Sequence, residues 1–113
     1  MPQPTFLDDP AFRCLRVGDV AGFSQHVADR REVDLSGTDL RGVDLREVDL
    51  TKVVIRGAYM RDADLRGLDL RRLDMEGCSL YHAKVSGAYF PANLAPEEIV
   101  ASVHYGTRMR TMQ

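Results

Sequence analysis

The stretch VDLSGTDLRGVDLREVDL occupies residues 33–50 and places leucine at 35, 40, 45 and 50. A spacing of five fits neither a helix, with about 3.6 residues per turn, nor a strand, with a period of about 2. The backbone must therefore change direction every five residues so that each leucine enters the same interior.

The pattern extends without insertion from 33 to 92 as twelve units. Their centres are Leu35, Leu40, Leu45, Leu50, Ile55, Met60, Leu65, Leu70, Met75, Leu80, Val85 and Phe90, all apolar. Against a 44% hydrophobic background, chance produces twelve in a row about once in 20,000 trials. Two positions before each centre stands a small or aliphatic residue, from Val33 and Thr38 through Ala58, Ala63, Leu68, Leu73 and Cys78 to Ala88. One before is often aspartate, at 34, 39, 44, 49, 64, 69 and 74. One after is often arginine, and the fifth slot is glycine at 37, 42, 57, 67, 77 and 87. Two buried residues in five predict a short side followed by a corner, and glycine accepts corner dihedrals that other residues resist. Such a chain closes after about four units and stacks on itself at about 4.8 Å, with backbone hydrogen bonds running between coils. Twelve units make about three coils.

Units such as ADLRG (63–67), VDLRE (43–47) and LDLRR (68–72) resemble the A-(D/N)-L-x-x motif of the pentapeptide repeat family. The resemblance implies an all-β solenoid, a right-handed quadrilateral β-helix of about three coils, here with short α-helical caps at both ends. Departures are Val54, Tyr59, Lys84 and Tyr89 in the aspartate slot and Leu68 and Leu73 in the small slot, and they bear on local width and outer surface. Stacking residues twenty apart puts Asp44 over Asp64 and Asp49 over Asp69, with Arg46, Arg66, Arg41 and Arg61 close enough to offset the repulsion. The charge pattern reads first as a solvated wall.

The expected organisation is an N-terminal helical cap over 1–32, the repeats over 33–92, and a C-terminal helix and tail over 93–113. Asp9-Pro10 and Asp19 are N-terminal helix signals and Gly18 a stop. Pro96 and two glutamates open a third helix that Gly106 ends. Its apolar residues Ile99, Val100 and Val103, with Phe90, either cover the last coil or meet a second subunit, since dimerisation through this end is common in the family. The tail TRMRTMQ (107–113) reads as loose.

Composition excludes several classes. A net charge of −2 on 113 residues lacks the basic excess of nucleic-acid binders, so no direct nucleic-acid binding is expected. No apolar run reaches the roughly 20 residues of a membrane span, and the N-terminus lacks signal-peptide regions. Cys14 and Cys78 lack zinc-ligand spacing, so a reduced cytoplasmic chain is expected. No phosphate loop, nucleophile elbow or metal-binding helix motif is present, and no cofactor is implied. His26, His82 and His104 lie on separate segments, and Cys78 should point inward while His82 points outward. The expectation is therefore no enzyme but a non-catalytic protein–protein interaction or scaffold module. Its candidate binding patch is Tyr59, Arg61, Tyr81 and His82, because tyrosine and arginine anchor interfaces; Tyr89 is expected against the terminal helix. The alternative is a DNA-mimic inhibitor of DNA gyrase, as in the quinolone-resistance members of the family, although residues 33–92 hold ten acids against nine Lys and Arg.

Overall fold

A computed structural model describes residues 3–112. The N-terminal segment forms two short helices, α1 (Pro10–Val17) and α2 (Val20–Val27). Each is started by an aspartate: the Asp9 carboxylate accepts from the Ala11 N–H at 2.8 Å, and the Asp19 carboxylate from the Gly22 N–H at 2.9 Å. Gly18, at φ 78°, closes α1 in the left-handed conformation. Phe12, Leu15, Phe23 and Val27 are buried where this hairpin joins the main core. Arg30 donates to both oxygens of Asp9, at 2.9 and 3.1 Å, and fastens the end of the hairpin to its beginning.

From residue 33 the backbone pairs with itself at a constant offset of twenty. Strand β1 (Val33–Asp34) lies parallel to β2 (Val53–Val54), and parallel bridges join Asp39 to Tyr59, Asp44 to Asp64, Tyr59 to Ser79, Asp64 to Lys84 and Asp69 to Tyr89. Between these rungs the chain turns after every centre. The N–H of the small residue donates back to the preceding centre's carbonyl, as in Thr38 to Leu35 at 3.2 Å, Ala58 to Ile55 at 2.9 Å and Ala83 to Leu80 at 2.8 Å. These turns explain why the regular strand content falls short of the all-β expectation, with only two two-residue strands among the described residues beside three helices. A corner every five residues leaves too little straight backbone for a longer ladder.

The interior is filled as the period demands. Leu35, Leu40, Leu45, Ile55, Met60, Leu65, Leu70, Met75 and Leu80 are buried, and Leu50, Val85 and Phe90 are half-buried against them.

The rungs are not continuous. Most centres donate to the carbonyl nineteen residues on, for example Leu45 to Asp64 at 3.1 Å and Met60 to Ser79 at 2.8 Å. Among the described residues, Leu50 and Ile55 make no such bond, and the return bonds from Asp69 and Asp74 are missing too. The expected stacking of Asp49 on Asp69 is therefore not a paired rung, whereas Asp44 on Asp64 is. The opening coincides with Leu68 and Leu73, the two leucines in the small slot. Interiors are packed too densely to admit extra methylenes without backbone shifts, and both side chains end half-buried.

The C-terminal end is closed by its own chain. Helix α3 (Pro96–Tyr105) lies over the last winding, where Ser102 accepts from the Leu80 N–H at 2.8 Å and Val103 from the His82 N–H at 2.9 Å. The tail is not loose over 107–112, and Gln113 lies outside the described residues. Arg108 pairs antiparallel with Ser79, Met109 exchanges bonds with Gly77 and Cys78 at 2.7 and 2.9 Å, and the Met109 side chain is fully buried. At the other end Thr5 pairs with Thr38, its N–H on the Gly37 carbonyl at 3.0 Å. Each end of the stack thus receives a single bridging segment as well as helix, which covers part of its open ladder.

Candidate functional site

The aspartate slot does more than face water. In all seven units that carry it, at 34, 39, 44, 49, 64, 69 and 74, the carboxylate accepts the N–H two residues ahead at 2.9–3.2 Å. That N–H sits at the corner, where no rung could satisfy it. In four units the arginine one past the centre closes a fork on the same carboxylate, Arg41 on Asp39, Arg46 on Asp44, Arg66 on Asp64 and Arg71 on Asp69. Arg46 also reaches the stacked Asp64 at 3.2 Å, so one guanidinium relieves the repulsion between two carboxylates. The consequence is electrostatic. The Arg71 guanidinium and its backbone N–H bring Asp69 down to about 2, and the Arg66 guanidinium beside Asp64 holds that carboxyl well below the usual range. A general acid needs its pKa raised towards neutrality; the carboxylates of this wall are shifted the other way.

The four residues of the expected patch do not form one cluster. Tyr81 stacks on His82 with ring centroids 3.9 Å apart, and the Arg61 guanidinium lies 5.1 Å from the Tyr81 ring centre. Tyr59 is engaged elsewhere: Arg108 lies over its ring at 5.4 Å and donates to its hydroxyl at 3.3 Å. His82 adopts φ 58° at its corner, and Asp62 one winding below adopts φ 61°. Both stand above Gly42, in the column where a left-handed residue makes the turn.

Of the apolar residues expected as a cap or dimer surface, Phe90, Ile99 and Val103 pack partly buried against the core, while Val100 is exposed. Tyr89 is not held under α3; it is exposed, with the Arg71 guanidinium 5.2 Å above its ring. Cys78 is buried, its thiol bonds the Ile55 carbonyl at 3.0 Å, and burial pushes its pKa up to about 11, far from a nucleophile. Among the described residues no three His, Cys, Asp or Glu side chains gather as metal ligands, and no helix is long and apolar enough to cross a membrane.

Another departure from the wall is the opening itself. Val48, Asp49, Leu50 and Thr51 face Leu68, Asp69, Arg72 and Leu73 across a cleft of about 500 Å³. Arg72 and Leu73 also border a neighbouring polar hollow of about 530 Å³, with Arg56, Arg71 and Asp74. The sequence marks this place only by the two leucines in the small slot.

A family model for Pentapeptide repeats matches residues 31–67 and 58–91, in 8 copies. The chain belongs to the pentapeptide repeat family. No curated protein and no solved structure matches it.

Within a pentapeptide repeat chain the repeat residues divide by role: the centre fills the interior, and the aspartate caps the corner. Two surface features stand out from that scheme, the Arg61–Tyr81–His82 cluster and the cleft beside Leu68 and Leu73. Two further residues escaped the sequence pattern, because each acts across more than twenty positions. Ser102 is buried and accepts from the Leu80 N–H, twenty-two positions away, while its hydroxyl donates to the Thr107 carbonyl at 2.6 Å and joins α3 to the tail. Glu76 accepts from the Thr111 N–H at 3.1 Å and its hydroxyl at 2.8 Å.

Proposed function

We propose that the chain is a non-catalytic protein–protein interaction module built on a right-handed quadrilateral β-helix over 33–92, with 1–32 and 93–113 as its caps. The observation that carries this reading is the clasped aspartate wall. Its carboxylates are spent on corner N–H groups and arginines, so the surface offers rigid shape rather than poised acids or bases. The Arg61–Tyr81–His82 cluster is its first anchor, an aromatic pair under a guanidinium on an otherwise hydrophilic wall.

Two free cysteines, one of them buried, suit the reducing cytoplasm in which we place the chain. A homodimer through the C-terminal end has less to work with, since Ile99 and Val103 are occupied on the chain's own core; Val100, Tyr105 and Met112 are exposed there. Solution mass decides that point. DNA mimicry against gyrase is disfavoured because arginines neutralise much of the aspartate stack, and a supercoiling assay is expected to show no inhibition.

The test is affinity capture from native extract with the whole chain as bait, beside an R61A/Y81A double variant. A specific partner retained by the wild type and lost by the variant is expected. Recovery of nothing specific by a well-folded wild type overturns the reading.

A further inference from the structure

We propose that the split between the windings is a docking cleft for an extended peptide segment of a partner protein, carrying an acidic side chain next to an aliphatic one. This rests on the reading of the chain as an interaction module and names a second contact on it.

Three features converge there. Both lips are ordered edges rather than frayed ends. The lower lip is tied to the N-terminal cap by Lys52, whose ammonium donates to the Val27 and Ala28 carbonyls at 3.2 and 3.3 Å. The upper lip is tied to the winding above by Leu70 to Tyr89 at 2.7 Å and Tyr89 to Leu68 at 2.8 Å. Second, these edges carry backbone groups without protein partners: among the described residues, the N–H groups of Leu50 and Asp69 reach no acceptor. An extended peptide is the ligand that returns such bonds, as in strand addition to a sheet edge. Third, the lining selects. Leu50, Leu68 and Leu73 offer an apolar floor. Arg56 and Arg71 are committed to Asp74 and Asp69 at 2.9 and 2.8 Å, whereas Arg72 closes no salt bridge among the described residues and touches Asp69 only through its longer-range field. A planar guanidinium whose hydrogen-bonding fork is not closed on a carboxylate, beside the three leucines, suits an incoming acidic side chain. Asp49, on the facing lip, disfavours acid at the other end and so sets the direction of the segment.

The experiment screens a synthetic library of random heptapeptides against the full chain and measures the hits by fluorescence anisotropy. Hits pairing an acidic with an aliphatic residue are expected. They should weaken at least about tenfold in Arg72→Ala, and equally when a backbone amide of the peptide is methylated. An L68A/L73A variant, which restores small residues to the slot, should close the cleft and lose the hits. Arg72 is exposed, so its variant keeps the test alive should the double variant not fold. Hydrogen exchange gives an independent reading: the Leu50 and Asp69 amides should exchange freely in the free chain and become protected by a hit. An absence of hits, hits indifferent to Arg72→Ala and to methylation, or protection of those two amides in the free chain overturns the proposal. If the cleft fails while R61A/Y81A still abolishes partner capture, the interaction module stands without it.

Discussion

Residues 58–65 and 68–75 follow the same five-residue rule, yet one stretch forms closed wall and the other a split. In the closed stretch Ala58 and Ala63 fill the small slot and are fully buried, and the rungs run in both directions: Tyr59 to Thr38 at 3.0 Å, Met60 to Ser79 at 2.8 Å, Asp64 to Val43 at 3.0 Å. In the other, Leu68 and Leu73 occupy that slot, Leu70 and Met75 remain buried, and the rungs towards the winding below are lost. The centre residue therefore maintains the winding, while the slot two places before it decides whether neighbouring windings touch. Fold and continuity of the wall are separable: the split coincides with a few extra methylenes, while the centres Leu70 and Met75 stay in the core.

The broadest way to break the comparison is acid, because it attacks both stretches through their aspartates. The folded carboxyls sit below their ordinary value, Asp69 falling from 3.8 to about 2. A group depressed in the folded state stabilises it above the unfolded pKa and loses that contribution as pH falls through the folded one. Stability should thus be flat above about pH 5 and decline from about pH 4 towards 2, ending in loss of the fold by circular dichroism. Asp49, held by Thr51 without an arginine fork, should protonate before Asp69 in a carboxyl-resolved NMR titration. The reverse order would mean that the forks add nothing.

Core truncation separates the stretches next. Leu65→Ala, in the closed wall, should cost about 3–5 kcal/mol, the range for a fully buried leucine. Leu50→Ala, on the lower lip and already half-exposed, should cost only about 1–2 kcal/mol. Urea denaturation measures both, and equal losses would show that the split is not a weak point of the packing. Building the split where there is none comes third. Ala63→Leu places the Leu68 arrangement in the closed wall and should cost about 1–3 kcal/mol. It should also free the amides that bridge this level, Asp64 to Val43 and Lys84 to Ala63. If those amides stay protected in the folded variant, leucine in the small slot is not what parts the windings.

The comparison also marks what could be read in advance. The apolar centres disclosed the twenty-residue offset, and Asp9, Asp19, Gly18 and Gly106 disclosed the helix ends, because each is a local signal. The aspartates are legible as a solvated wall, and most of them are exposed as that reading expects. Their second role is less plain in the pattern, although a carboxylate two residues before a corner N–H is a turn signal in its own right. The tail and Thr5 left no local trace, since a strand that adds to an edge is specified by the edge and not by its own few residues. The split was visible as two departures at Leu68 and Leu73, but volume alone does not say whether an oversized residue bends outward, compresses its neighbours or parts the windings.

The smallest expected effects lie at the corners and concern which residues a left-handed turn will accept. Gly57, at φ 73°, belongs to a column with Gly37 and Gly77, and a methyl there would stand 3.2 Å from the Arg108 guanidinium. Gly57→Ala should cost about 1–2 kcal/mol, the penalty for an L-residue in that conformation, with displacement of the flexible arginine tip adding little. Asp62 already bears this strain at φ 61°. Asp62→Gly should relieve it and gain about 0.5 kcal/mol, because glycine's greater freedom in the unfolded chain offsets part of the relief. That corresponds to a rise of about 2–4 °C in thermal midpoint for a domain of this size, readable by calorimetry. The competing contribution is the Arg61–Asp62 ion pair, 3.7 Å long and with both side chains exposed, and such pairs are worth little. A fall in midpoint would reverse that ranking. It would show that Asp62 holds Arg61 in place over Tyr81, tying a strained corner to the aromatic cluster one winding above it.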